Sequence, residues 1–355
     1  MIENLLDQPF ANWMKDGAED DDIVLASRIR LARNLEGIPF PQRANIEQLA
    51  KVVSQMHESL DDLNAMKQAD YMFVDLEKIP LLERLVLVEK YIISPDHARK
   101  AEKRALLVNV DTTASIMVNE EDHIRIQSIM PGLNLTEAFS LADQIDDTIE
   151  NKHDIAFNEQ LGYLTACPTN LGTGLRASVM LHLPALVLTK QMNHIVNAVT
   201  QIGLTVRGLY GEGSEANGNI FQISNQLALG FTEQAIIDNL YNIVKQVVDH
   251  ERAGRAELYR EATDTLVDRV WRSYGILRYA RSISGQEALS MLSDVRLGCD
   301  LGIIDKSPLC NFNELMVITR PNFLQKLSNQ PELDSVERRQ LRATMIREKI
   351  KQEGI

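Results

Sequence analysis

Between Ile23 and Leu31 apolar and polar side chains alternate, so that Ile23, Leu25, Ile29 and Leu31 share one face and Arg28 and Arg30 share the other. That period of two predicts a strand with one face for the core and two guanidiniums on the other. The same reading predicts a hairpin, with Ala105–Val110 and Ser115–Val118 flanking Asp111-Thr112-Thr113-Ala114. A further strand from His123 would put His123, Arg125 and Gln127 on one face, with Glu120 and Glu121 at its turn. Strands are also expected at Tyr71–Leu76, Ala177–His182, Leu204–Arg207 and Asn219–Ser224. Helical spacing runs through Ile46–Leu63, Leu135–Ile149, Val187–Ile202 and Glu233–Glu251, with Gly203 as a stop and Thr232 as an N-cap.

Past residue 255 the pattern is helical throughout, and Ser284-Gly285-Gln286-Glu287 and Asp334-Ser335-Val336-Glu337 read as capping boxes. The expected fold class is α+β: an antiparallel or mixed sheet flanked by helices, followed by an all-helical C-terminal domain. With 355 residues, two domains are the natural division. Their expected bounds are 1–21 for an N-terminal segment, 22–254 for the sheet domain and 255–355 for the helical one.

A formal charge of -13 argues against direct nucleic-acid binding and favours basic partners. No apolar run approaches membrane-spanning length, and residues 1–22 have no secretory pattern. Cys167, Cys299 and Cys310 show neither a paired framework nor CxxC spacing, which points to a reducing, cytoplasmic setting and no structural zinc. Phosphate-loop, HRD/DFG, GxSxG and HExxH patterns are all missing from the sequence.

Four separated stretches carry the chemistry: Ser27-Arg28-Ile29-Arg30, Asn119-Glu120-Glu121-Asp122-His123-Ile124-Arg125, Gly172-Thr173-Gly174-Leu175-Arg176 and Arg207-Gly208-Leu209-Tyr210-Gly211-Glu212. Arginine suits phosphate because its planar fork donates paired hydrogen bonds and keeps its charge. Two guanidiniums side by side, as at Arg28 and Arg30, call for an anion or carboxylate between them. The acid run at 120–122 reads either as a solvated turn or as a general base that also aligns a nucleophile. Glu212, bracketed by Gly211 and Gly213, is a second carboxylate able to grip a guanidinium. Cys167 opens a loop shaped by Pro168, Gly172 and Gly174, where nearby arginines would favour its thiolate as an orienting contact or a reactive group.

These strings, with Cys167 to Ser178 read as one motif, resemble the ATP:guanidino phosphotransferases, over about residues 22–254. The resemblance implies transfer of the γ-phosphoryl group of Mg-ATP to a guanidinium. It implies a nucleotide site of Ser27, Arg28, Ile29, Arg30, Tyr91, Arg125, Arg176, Ala177, Ser178, Val179, Met180, Arg207, Gly208, Leu209, Tyr210 and Gly211. Glu121 would be the catalytic base, Glu212 would grip the guanidinium and Cys167 would lie nearby.

Only about twenty residues precede the first motif, where the metabolic kinases of the family carry a small helical domain, and the helical region follows the catalytic part. That frame resembles the bacterial protein-arginine kinases. It implies acceptor arginines in proteins, a CtsR-type repressor among them, and Clp-dependent degradation of the marked chains. A McsA-type activator, a ClpC-type unfoldase and a homodimer are the implied partners.

Two positions depart from that branch. Tyr91 stands where a histidine is usual, and Arg339 replaces the aspartate of a phosphoarginine-sensing motif matched by Arg338, Arg339, Gln340, Leu341, Arg342 and Ala343. Arg338 and Arg342 lie one helical turn apart, either as a phosphate clamp or as a charged helix face. The alternatives are a small-molecule guanidino kinase and a catalytically silent adaptor that reads phosphoarginine.

Overall fold

A computed structural model describes residues 2–66, 70–208, 216–305, 311–330 and 332–351. The chain begins with α1 (Ile2–Asp7) and β1 (Val24–Arg33), then α2 (Ile46–Glu58), α3 (Leu60–Ala65), β2 (Tyr71–Asp75), α4 (Leu81–Glu89) and α5 (Pro95–Arg99). A meander follows of β3 (Ala105–Asn109), β4 (Ala114–Val118) and β5 (Ile124–Pro131), leading into α6 (Leu135–Glu150). Next come the short hairpin β6 (Phe157–Asn158) and β7 (Gly162–Tyr163), β8 (Leu175–His182), α7 (Pro184–Leu188), α8 (Met192–Gln201), β9 (Leu204–Gly208) and β10 (Ile220–Asn225). The remainder is helical: α9 (Glu233–Glu261), α10 (Thr263–Tyr279), α11 (Gly285–Asp300), α12 (Phe312–Ile318), α13 (Pro321–Leu327) and α14 (Ser335–Lys351).

The sheet has eight strands in the order β2-β3-β4-β5-β1-β8-β10-β9, the antiparallel architecture expected from the alternation. In β1 the odd-numbered Ile29 and Leu31 are buried, while Arg28 and Arg30 keep partial exposure on the opposite face. The register Arg30↔Gln127 and Ala32↔Arg125 then sets Arg125 diagonally beside Arg30.

By density of contacts the chain divides into two compact units. One comprises residues 1–19, 26–179 and 224–242, and the other 20–25, 180–223 and 243–355. In the first unit the core is the inner face of the meander against α6, including Ile116, Ile126, Ala138, Ala142 and Ile145. In the second, α10 packs on α11 at Gly298, where a Cβ would come within 2.3 Å of Val270 Cγ1, so only glycine permits the approach. Thr232, Ser284 and Asp334 accept the capping N–H groups that the sequence assigned to them.

Three helices differ from their expected bounds. The helix over Ile46–Leu63 is broken at Ser59, a buried residue whose hydroxyl lies 2.7 Å from His153 Nε2. The helix over Val187–Ile202 divides into α7 and α8 around Lys190, which adopts φ +59°. The helix expected to end at Glu251 continues to Glu261, and the Glu251 carboxylate within it accepts the N–H groups of Ala185 and Leu186 at the start of α7, at 2.9 and 3.0 Å. Cys167 is a free thiol, whereas Cys299 is disulfide-bonded, against the expectation of unpaired cysteines. Among the described residues no helix is long and apolar enough to cross a membrane.

Candidate active site

Four of the five expected arginines meet in the first unit. Ala32 N–H donates to Gly174 O at 3.0 Å and Ser178 Oγ to Arg28 O at 3.4 Å, which brings Arg176 alongside Arg30. Burial, followed by the charges of Arg28, Arg125 and Arg176, holds the Arg30 guanidinium well below its ordinary pKa, and Glu120 offsets this only in part. Arg30 Nε is shielded from solvent and has no hydrogen-bond partner. A cluster with that much like charge and an unused buried donor fits an oligophosphate.

The three consecutive acids have three different jobs. Glu120 is buried; its carboxylate pairs with Arg125 Nη1 at 2.5 Å and accepts from Ser94 Oγ at 2.5 Å. Asp122 is fully buried, and its Oδ1 accepts from Asn34 Nδ2 and from the Ala166 N–H, each at 2.7 Å. Burial pushes the Asp122 carboxyl above its usual range, and those two donors pull it back. It therefore anchors the residue just before Cys167. Glu121 keeps 42% of its side chain exposed and touches Arg125 Nη2 at 2.9 Å. It is the acid of the run left accessible to a second molecule.

Neighbouring residues fix this turn. His123 Nδ1 accepts from the Leu35 N–H at 3.1 Å and Nε2 donates to Pro39 O at 2.9 Å, a neutral tautomer that agrees with burial lowering its pKa. Asn34 bridges Asp122, the His123 N–H and Leu164 O. Asn119 turns the chain at φ +59°. The glycine-bearing loop is equally constrained: at Gly174, φ +67°, a Cβ would fall 2.7 Å from Ala32 O. Arg33, although adjacent to the cluster in sequence, is buried, bonded to Asp146 at 2.5 Å and to Thr173 O at 3.0 Å, and stacked on Tyr163. It holds the loop and is not part of the anion cradle.

A cavity of about 80 Å³ results, lined by Arg30, Glu121, Arg125, Cys167, Thr169 and Arg176 among others. Cys167 Sγ lies 3.0 Å from Thr169 Oγ1. Of the other expected site residues, Ser27 is buried with its hydroxyl bonded to Gly132 O and the Asn134 N–H, at 2.8 and 2.9 Å. Ile29, Ala177, Ser178, Val179 and Met180 are buried strand residues, and Ala177 N–H donates to Asn225 Oδ1. Tyr91 adopts φ +62° and packs edge-on against Trp13 at 5.5 Å, and its hydroxyl has no hydrogen-bond partner. Arg207 is exposed on β9, which ends at Gly208 in the second unit. Leu209, Tyr210, Gly211 and Glu212 lie outside the described residues.

In α14, Arg342 is buried and donates to Thr319 O at 2.8 Å and Ile283 O at 3.1 Å. Arg338 donates to Leu333 O at 2.9 Å. Arg339 and Gln340 are exposed, Leu341 is partly buried and Ala343 is buried. The residues that the sequence did not single out are the supports Asn34 and Ser94. Each is a lone polar residue whose role exists only once distant strands pair.

Residues 51–254 match the family of the ATP:guanido phosphotransferase C-terminal catalytic domain, and residues 263–354 match the protein-arginine kinase McsB C-terminal domain. The chain is 49% identical over 350 residues to a protein-arginine kinase of Brevibacillus brevis, covering 98% of each. It is 48% identical over 349 residues to that of Bacillus subtilis, covering 98% of this chain and 96% of the relative. Among solved structures, lombricine kinase superposes with a TM-score of 0.59 at 27% identity, covering 70% of this chain and 72% of that one. Arginines gathered beside one accessible carboxylate are what a guanidino kinase needs, and the chain belongs to the ATP:guanido phosphotransferase family, in its protein-arginine kinase branch.

Proposed function

We propose that the protein transfers the γ-phosphoryl group of ATP to arginine side chains of other proteins. The observation that carries this reading is one cavity that holds Arg30, Arg125 and Arg176 beside the accessible carboxylate of Glu121, with the charge of Arg28 acting on Arg30. The arginines would hold the phosphates and offset charge that spreads over the transferring group. A terminal nitrogen of the acceptor guanidinium attacks the γ phosphorus; the N–P bond forms as the bond to the β–γ bridging oxygen breaks, and ADP leaves. Glu121 aligns that nitrogen and takes the proton it loses. Glu120 keeps Arg125 in place, and Asp122 keeps Cys167 beside the acceptor.

Among the described residues no group of three or more His, Cys, Asp or Glu side chains is placed to hold a metal. Magnesium accompanying ATP would offset charge on the transferring phosphates. The proposal extends, on the resemblance alone, to a McsA-type activator, a homodimer, a CtsR-type repressor among the substrates and delivery of marked proteins to a ClpC-type unfoldase.

ATP consumption separates this reading from a small-molecule kinase. An unfolded arginine-containing protein should drive turnover, and free arginine or creatine in excess should neither replace it nor compete well. Comparable turnover on free arginine would refute the reading.

A further inference from the structure

Glu121 also lines a second, larger cavity of about 640 Å³, whose wall includes Gln42, Asp96, Lys100, Glu102 and Asn119. The two cavities thus meet at the proposed base. One is walled by guanidiniums and suits phosphate; the other presents acceptors. Asn119 is 2% exposed, and its Nδ2 is used on Leu49 O and Lys103 O at 3.0 and 2.8 Å, yet its Oδ1 has no hydrogen-bond partner. Gln42 is fixed by its own donor, which bonds Glu121 O at 2.5 Å.

The charges on this wall are unequal. Asp96, Glu102, Glu120 and Glu121 share this wall with Lys100 and Arg104, and because Glu120 and Glu121 are already paired with Arg125, the acids left to meet a ligand are Asp96 and Glu102. Arg104 is 8% exposed and held by Asp96 O at 2.7 Å, Asp96 Oδ2 at 3.3 Å and Glu120 O at 3.3 Å, so its charge is already matched. Asp96 keeps 55% of its side chain exposed despite that pair, and Glu102 is exposed. Lys100 is the exposed cation among them.

We infer that this cavity is a docking groove for the substrate chain on either side of the target arginine, and that Asp96 and Glu102 select basic residues flanking it. The inference rests on the acceptor being a protein arginine. A free guanidino compound needs no such groove, whereas a polypeptide must lay several residues beside the base. Exposed charge pairs are individually weak, so each should change selectivity by a fewfold factor and fade as salt screens it.

The test compares kcat/KM for three unstructured peptides identical except that their single arginine is flanked by lysines, alanines or glutamates. The expected order is lysine above alanine above glutamate, with a lysine-to-glutamate ratio of roughly tenfold at low salt. Glu102→Lys should compress that ratio by about threefold, and Lys100→Glu should widen it by about as much. Because the readout is a ratio within one preparation, loss of active protein in a variant does not imitate the effect. A ratio near one, or a ratio that neither variant moves, overturns the groove. If no peptide carries phosphate on arginine, the kinase reading itself falls and the groove with it.

Discussion

Glu121→Gln should lower kcat by roughly two to four orders of magnitude while ATP affinity stays within about twofold. The reason is geometric. Arg125 reaches Glu121 through Nη2 at 2.9 Å, but its Nη1 is held independently by Glu120 at 2.5 Å, so the phosphate-binding side keeps its arrangement when the Glu121 charge is removed. What is lost is the proton acceptor and the alignment of the attacking nitrogen. Glu120→Gln makes the opposite change. Its carboxylate is buried and also accepts from Ser94 and from the Glu121 N–H at 3.0 Å. Weakening that buried pair should cost about 3 kcal/mol of stability and raise the ATP KM, with a smaller effect on chemistry. Stopped turnover in Glu121→Gln with an equally large loss of ATP binding would mean that the residue serves the nucleotide, and that the base lies elsewhere.

Arg30→Met should make the ligand-free protein more stable and the nucleotide complex weaker. The Arg30 pKa is depressed by burial first and then by Arg28, Arg125 and Arg176. A cation with a lowered pKa is disfavoured when charged in the folded state, and that cost is present at every pH below the folded-state pKa. Guanidinium stays protonated over the working range, so the cost is constant there and no pH within it relieves the repulsion. Methionine removes the charge and keeps much of the apolar stem. The ligand-free melting temperature should rise by about 2–4 °C. ATP affinity should fall by about tenfold to a hundredfold through the lost charge-assisted bonds. In the wild type, ATP should raise the melting temperature, and in the variant that gain should largely vanish. Unchanged ATP affinity together with a lower melting temperature would show that Arg30 is a structural residue.

Much of this arrangement was legible in the sequence because strands alternate. Parity alone sets Arg28 and Arg30 on the face opposite the apolar residues and Arg125 on one face with His123 and Gln127, and the register Ala32↔Arg125 brings the arginines together. The acids were harder. Glu120, Glu121 and Asp122 are chemically near-equivalent in a row, and only the partners Ser94, Asn34 and Ala166, brought in from other segments, decide which two are buried. Arg33 follows Arg28 and Arg30 in sequence but departs from them in space, because Asp146 on α6 captures it. Ser59 and Lys190 broke helices whose apolar spacing ran straight through them. The pair Arg338 and Arg342 was placed correctly one turn apart, but the inward course of Arg342 to two backbone carbonyls is a property of α14's neighbours. Helical spacing cannot foretell it.

Mapping phosphate by mass spectrometry without acid exposure, on an unfolded arginine-containing protein incubated with Mg-ATP and free arginine together, tests the central claim most directly. The account predicts phosphate on guanidinium nitrogens of the protein, lost on brief acid treatment and absent with Glu121→Gln. Phosphate found only on hydroxyl side chains, or only on free arginine, would contradict it.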